Sequence, residues 1–193
     1  MITRGQILVL IAVASLSACH PTERGGSSAG KVAADAGRPI DVEVMAFLSE
    51  ARALHHEANL KEGAGDWSGA TEAIDRLVRA ERPHPAEKIP EIEEVLADAF
   101  ARLAELQLGR RDVEGALHAV NQGLAHAPSP TYFRGHLLEV QGIVEEARAA
   151  ELADAGKKDD SAKARARAIE LLQEAVRVQE QVIGRALGDG GAK

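Results

Sequence analysis

The feature that most constrains this 193-residue chain is a stretch of apolar residues at helical spacing, repeated along its length and broken each time by Gly, Pro or a capping Asp. Asp41 to Glu62 carries Val44, Phe47, Leu48, Ala51, Leu54, Ala58 and Leu60, a pattern that marks one face of an α-helix, and it stops at Gly63-Ala64-Gly65. Asp66 caps a second helix to about Glu81, with Trp67, Ala70, Ile74, Leu77 and Val78 on one side; Pro83, His84 and Pro85 end it. A third helix from about Pro90 to Leu108 is expected to bury Ile92, Leu96, Ala99, Phe100 and Leu103. The turn Gly109 to Asp112 follows, with cations at the negative helix end and an Asp cap for the next helix. Val113 to His126 presents Val113, Ala116, Leu117, Val120 and Leu124. Ser129 then reads as a cap with Pro130 in the first helical position, opening a fifth helix to about Ala155 that faces inward with Phe133, Leu137, Val140, Val144 and Ala147. The sixth, from about Asp160 to Leu187, is expected to face inward with Ile169, Leu172, Val176, Ile183 and Ala186. No strand pattern interrupts the series, so the expected fold is all-α: six helices in three antiparallel hairpins over residues 41–187, with residues 188–193 as an unstructured tail.

Aromatic residues make up only 3% of the chain, so the core must be built from Ala, Leu, Val and Ile, which suits closely packed helices and offers little to stack on bases or sugars. A net charge of −7 argues in the same direction, against a nucleic-acid binder. The helical part amounts to roughly 150 residues, enough for one ordinary domain.

The N-terminus reads differently. Arg4 supplies a positive charge, and Gln6 to Leu16 is an apolar run too short to span a bilayer, which takes roughly 20 residues in a helix. It has the length of a signal-peptide core, so residues 1–18 are expected to be removed. The run ends in Leu16-Ser17-Ala18-Cys19, which resembles the lipobox of bacterial lipoproteins. The resemblance implies that cleavage falls before Cys19, that its thiol carries diacylglycerol, and that the protein stays on a membrane. Acyl chains contributing about 0.8 kcal/mol per buried methylene make such attachment effectively permanent. The other reading is an ordinary cleaved signal with a chance Cys. Cys19 is the only cysteine, which excludes an internal disulfide, a Cys-rich zinc site and a CxxC redox pair. Residues 19–40, rich in Gly, Ser and Ala, read as a tether with a mean reach of about 25 Å. His20 in place of Asp after the Cys resembles outer-membrane-sorted lipoproteins, which implies a place on the outer membrane facing the periplasm.

A second resemblance lies in the hairpins. Gly65-Asp66-Trp67-Ser68-Gly69-Ala70 with Ile74 and Leu77, and Arg111-Asp112-Val113-Glu114-Gly115-Ala116 with Val120, Gly123 and Pro128, look like the turn and second helix of a tetratricopeptide repeat. Phe100, Leu103 and Ala104 fall where that repeat has a large, an apolar and a small residue; Leu54 and Ala58 fit likewise, and Glu57 does not. The third hairpin, taken through Ala168, Leu172 and Ala175, fits less well because its turn, Gly156 to Ser161, reads as too long. The spacing of 46 residues from Ala70 to Ala116, against about 34 in the family, places an insert around His84 to Pro90. A plain six-helix bundle of antiparallel hairpins is the alternative. The resemblance implies a ligand groove lined by the first helix of each hairpin, carried here by Arg52, His55, Asn59 and Glu62 and then by Asp98, Ala101 and Glu105, and suited to an extended peptide or a partner helix.

No catalytic constellation or cofactor motif stands out. His55-His56-Glu57 lacks the second histidine of an HExxH zinc helix, because position 61 is Lys. His118 and His126 read as a rim, His136 beside Phe133 and Leu137 as a satisfied, partly buried imidazole, and Lys157, Lys158, Lys163, Arg165 and Arg167, interleaved with Asp159 and Asp160, as a solvated turn. Two function classes fit: a non-catalytic scaffold that binds a protein partner in the cell envelope, and an envelope enzyme or metal-dependent accessory using the histidines. The second requires three of His55, His56, His84, His118 and His126 to meet near an acid.

Overall fold

Six helices account for most of residues 41–189, the part of the chain that the computed structural model describes. They are α1 (Val42–Gly63), α2 (Trp67–Val78), α3 (Pro90–Gly109), α4 (Val113–His126), α5 (Tyr132–Asp154) and α6 (Lys158–Asp189), and no strand occurs among the described residues. The expected signal segment, Cys19 and the tether lie outside the described residues, as do residues 190–193. Gly188 and Asp189, expected to belong to the tail, are instead part of α6.

Four of the six helices begin where a short polar side chain takes an orphan amide, while α3 opens on Pro90 with no side-chain cap. Asp41 accepts from the amides of Glu43 at 3.0 Å and Val44 at 3.1 Å, and Asp66 and Asp112 accept from Gly69 and Gly115, both at 2.9 Å. For α5 the expected cap is displaced: the Thr131 hydroxyl, not Ser129, takes the Arg134 amide at 3.3 Å, so Pro130 stays outside the helix. Helix α2 stops at Val78 rather than near Glu81, since Pro83 withholds an amide and disfavours helical backbone at Arg82.

The three hairpin turns are built alike. Ala64–Asp66, Arg110–Asp112 and Ala155–Lys157 link their helices in the same number of residues. In each, the last linker amide closes on a carbonyl five residues back: Asp66 to Lys61 at 2.8 Å, Asp112 to Gln107 at 2.8 Å, Lys157 to Leu152 at 2.9 Å. That closure needs a left-handed residue before it, supplied by Gly65 (φ 80°), Arg111 (φ 63°) and Gly156 (φ 74°). The third turn is therefore as tight as the others. α6 starts at Lys158, two residues before the expected Asp160, because Asp159 and Asp160 are favourable inside a first turn rather than before it.

With equal turns, equivalent positions follow. Ala70, Ala116 and Ser161 are 46 and then 45 residues apart and all are buried, as are Ala58, Ala104 and Ala149 on the first helices. α1 pairs with α2, α3 with α4 and α5 with α6, while α2 meets α3, α4 meets α5, and α3 touches both α1 and α5. One continuous core runs through α1 to α5, with Ile74, Leu77, Leu96, Leu106 and Leu137 fully enclosed, each worth about 1.5–3 kcal/mol of burial. Leu124 joins it to a smaller cluster of Leu138, Leu171, Ala175 and Val178. All described residues belong to one compact unit, Pro39–Lys193, and this core lies wholly inside it.

Two expected inward faces are corrected. Leu60 is exposed at the end of α1. On α6 the expected stripe of Ile169, Leu172, Val176 and Ile183 faces outward, and the seam against α5 is Ser161, Ala164, Ala168, Leu171, Ala175 and Val178. The cause lies on α5, which offers Gly135, Gly142 and Ala149 at seven-residue steps. A stripe of small residues draws a second helix in closely and admits small residues from it.

Candidate partner-binding face

The first helices of the hairpins carry a polar strip. On α1, Arg52, His55, Asn59 and Glu62 follow one another at steps of three and four, so they share a face. On α3 the matching line is Asp98, Arg102 and Glu105. The Arg102 guanidinium joins the two helices: it donates through Nη2 to Glu62 and, at 3.3 Å, to Asn59 Oδ1, and through Nη1 to Glu105 at 3.1 Å. His55 Nε2 stands 3.9 Å from Asp98 Oδ2. The line continues onto α5, where His136 Nε2 lies 3.8 Å from Glu105 Oε1 and its ring stacks on Tyr132 at 6.2 Å. Arg52 and Asn59 are exposed, while His55, Glu62, Asp98, Arg102 and Glu105 are half-buried.

Six of the seven expected groove residues thus lie on or beside this strip; Ala101 does not. It is fully enclosed, with Ala97 and Ala104, on the packing side of α3. Arg102, one position on, holds the place expected for Ala101, and His136 and Tyr132 extend the strip to α5, the first helix of the third hairpin, on which no groove residue was expected. The available signal was compositional: three alanines at steps of four and three mark a close helix contact, which leaves the neighbouring long polar residues to face solvent.

Burial sets the charge state of the strip. Desolvation lowers the His55 pKa; nearby Asp98 opposes the shift and Arg102 adds to it. Burial also works against the charge on Arg102, but hydrogen bonds to Glu62 and Glu105 outweigh it and raise its pKa, so the guanidinium stays charged. With His55 neutral, the strip presents half-buried Glu62, Asp98 and Glu105 against exposed Arg52 and half-buried Arg102, an acidic balance.

The remaining histidines disperse. His84 sits 2.8 Å from Asp41, which raises the His84 pKa through their hydrogen bond; the Asp41 pKa is lowered, first by the Val44 amide and further by His84. His126 is not on a rim: its Nδ1 is 2.8 Å from Glu93, its ring stacks on Phe100 at 5.5 Å, and Arg82 approaches the same carboxylate at 3.7 Å. His56 and His118 are exposed. Glu57, beside the His pair, is tied to Lys61 at 2.7 Å and to Arg76 at 3.3 Å. Among the described residues no three His, Cys, Asp or Glu side chains are grouped closely enough to hold a metal ion. Lys157, Lys163 and Arg167 border an open cavity of about 550 Å³ together with Glu145 and Asp160, a mixed-charge surface.

No family model matches this chain, and neither does any curated protein or solved structure. No helix among the described residues is long and apolar enough to cross a membrane.

Proposed function

We propose that this protein is a lipid-anchored envelope protein whose helical-hairpin stack, similar to tetratricopeptide repeats, binds a protein partner without catalysing a reaction. The observation that carries the reading is the polar strip crossing three successive first helices: Arg102 bridges Asn59, Glu62 and Glu105, and His136 meets Glu105 from α5. Side chains fixed by one another across several elements form a surface of defined shape and charge, on which a peptide or helix can find oriented donors and acceptors. Leu16-Ser17-Ala18-Cys19 supports the anchor, with the expected acyl groups on Cys19 holding the protein at a bacterial envelope membrane, and His20 favours the outer membrane.

Affinity capture from envelope extract tests the binding face. The native chain is compared with a variant carrying Arg52→Glu, Asn59→Arg and Glu105→Lys, all three positions lying outside the buried core. Loss of a specifically enriched protein is expected, and the same recovery from both would refute the assignment. For the anchor, a Cys19→Ser chain is expected to leave the membrane fraction and lose metabolic acyl label; retention of both would refute the lipobox.

A further inference from the structure

Helix α6 has two apolar seams about a third of a turn apart; one is buried, and the other touches α5 only at its edge, where Leu172 covers Gly142. The first packs on α5. The second is Ile169, Leu172, Val176 and Ile183, which are 53%, 37%, 57% and 57% exposed. Large apolar side chains in a single line at heptad spacing differ from the scattered exposure of an ordinary surface, and they have the form of a helix-packing seam. The fold says what kind of object belongs there. α2 and α4, the equivalent second helices, each pack on the first helix of the next hairpin, whereas no helix follows α6 among the described residues.

We propose that this seam pairs with the same seam of a second copy of the chain, antiparallel about a two-fold axis that passes between Arg177 and Val178. In that register Leu172 of one copy meets Ile183 of the other, Ile169 meets Ala186, and Val176 meets Gln179, every contact occurring twice. On the outer flank Gln173 falls beside Glu180 and Ala166 beside Leu187, itself 74% exposed, so no like charges are opposed and the last large apolar side chain is covered. Gln179 is already engaged with the Tyr132 carbonyl at 3.3 Å, which spares the seam a free amide. Such self-complementarity is what an isologous contact requires, and an unrelated helix has no reason to match it. Ile169 to Leu187 spans about 27 Å of helix, and a strip one helix wide over that length falls well short of the roughly 800 Å² per partner of a standard interface. The dimer is therefore weak and concentration-dependent, and it doubles the polar strips offered to a multivalent partner.

Sedimentation velocity of the Pro39–Lys193 segment, from micromolar to millimolar concentration, tests this. A monomer–dimer equilibrium is expected, with Leu172→Glu or Val176→Glu weakening association at least about tenfold while leaving helix content unchanged, and Arg102→Met leaving it intact. The segment has no cysteine, so register can be read by oxidation: a chain with both Leu172→Cys and Ile183→Cys forms a covalent dimer, and neither single variant does. A monomer at every concentration overturns the proposal and leaves the seam to a helix of another protein. A dimer indifferent to Leu172→Glu and Val176→Glu, or single-cysteine variants that cross-link as well as the double, overturns it too.

Discussion

Replacing Arg102 by Met keeps most of the aliphatic stem and removes the charge that joins α1 to α3. The guanidinium side chain is 22% exposed, Glu62 29% and Glu105 38%. Fully exposed ion pairs contribute about 0.2–1 kcal/mol, whereas stripping one partner from a buried pair costs about 3–5 kcal/mol. At these exposures the pair with Glu62 falls between the limits, and the pair with Glu105, more open to solvent, adds only a few tenths. Arg102→Met is therefore expected to cost about 1–2 kcal/mol, or roughly 2–8 °C in Tm for a segment of this size. Part of that loss is repulsion and desolvation left on Glu62, so Glu62→Gln costs less in the Arg102→Met background than alone, with a coupling of about 1 kcal/mol in the double-mutant cycle. Urea unfolding of the Pro39–Lys193 segment, at low and at molar salt, measures both quantities; the m-value should stay constant and the coupling should shrink with salt. A loss under about 0.3 kcal/mol with no coupling would mean that the strip is a solvated polar face and not a joint between hairpins.

Other outcomes follow from local geometry. The His55 pKa is lowered by burial, so the fold favours its neutral form: stability from this group is complete above about pH 6.5 and is lost as pH falls through the lowered value. Unfolding followed between pH 7 and pH 5 should show that loss, and His55→Gln should flatten it. At the start of α1 the sign differs for the two partners. The raised His84 pKa contributes below about pH 6.5 and is lost as pH rises through the raised value, while the lowered Asp41 pKa contributes above about pH 4 and is lost as pH falls. Hydrogen exchange at the Glu43 and Val44 amides should accordingly be slowest, after correction for intrinsic rates, near pH 5. A Cβ at Gly123 would stand 2.9 Å from Phe100 Cβ and also press on Leu137, whereas one at Gly184 meets nothing within 4 Å. Thermal unfolding should show Gly184→Ala gaining about 0.5–1 kcal/mol of helix propensity and Gly123→Ala losing stability despite the same gain. Ser161→Ala should change stability by no more than about 1 kcal/mol, since Ala70 and Ala116 hold the equivalent places, while Ser161→Leu should cost about 1–3 kcal/mol by forcing α6 away from α5.

Helix count and most helix starts were legible because their signals are local. An aspartate before an apolar run offers its oxygen to an amide three residues on, whatever the rest of the chain does, and Asp41, Asp66 and Asp112 all act so. Thr131 competes with Ser129 for the same task, and both precede a run that fits either start, so propensity could not choose between them. The groove was legible to within one residue on α3. Ala101 and Arg102 both keep the step from Asp98, by three and by four, and only knowing which side of α3 packs on its neighbours separates them.

Helix α6 shows most clearly what periodicity withholds. Its sequence contains two heptad seams, one of Ser, Ala, Leu and Val and one of Ile, Leu and Val, and hydrophobicity alone assigns the interior to the second because its side chains are larger. The deciding information sits on another helix. Gly135, Gly142 and Ala149 on α5 make a flat track on which α6 settles closely; the Ser161 hydroxyl reaches the Ala149 carbonyl at 2.7 Å, and Gln179 and Leu172 lie over Gly135 and Gly142. Close approach of many small contacts outweighs the burial of a few large ones here, because turning the Ile stripe inward would hold the two helices apart along their whole shared length. The larger seam is left outside as a consequence of that fit, which is why its pairing with a second copy is the point where the architecture of one chain bears on its assembly.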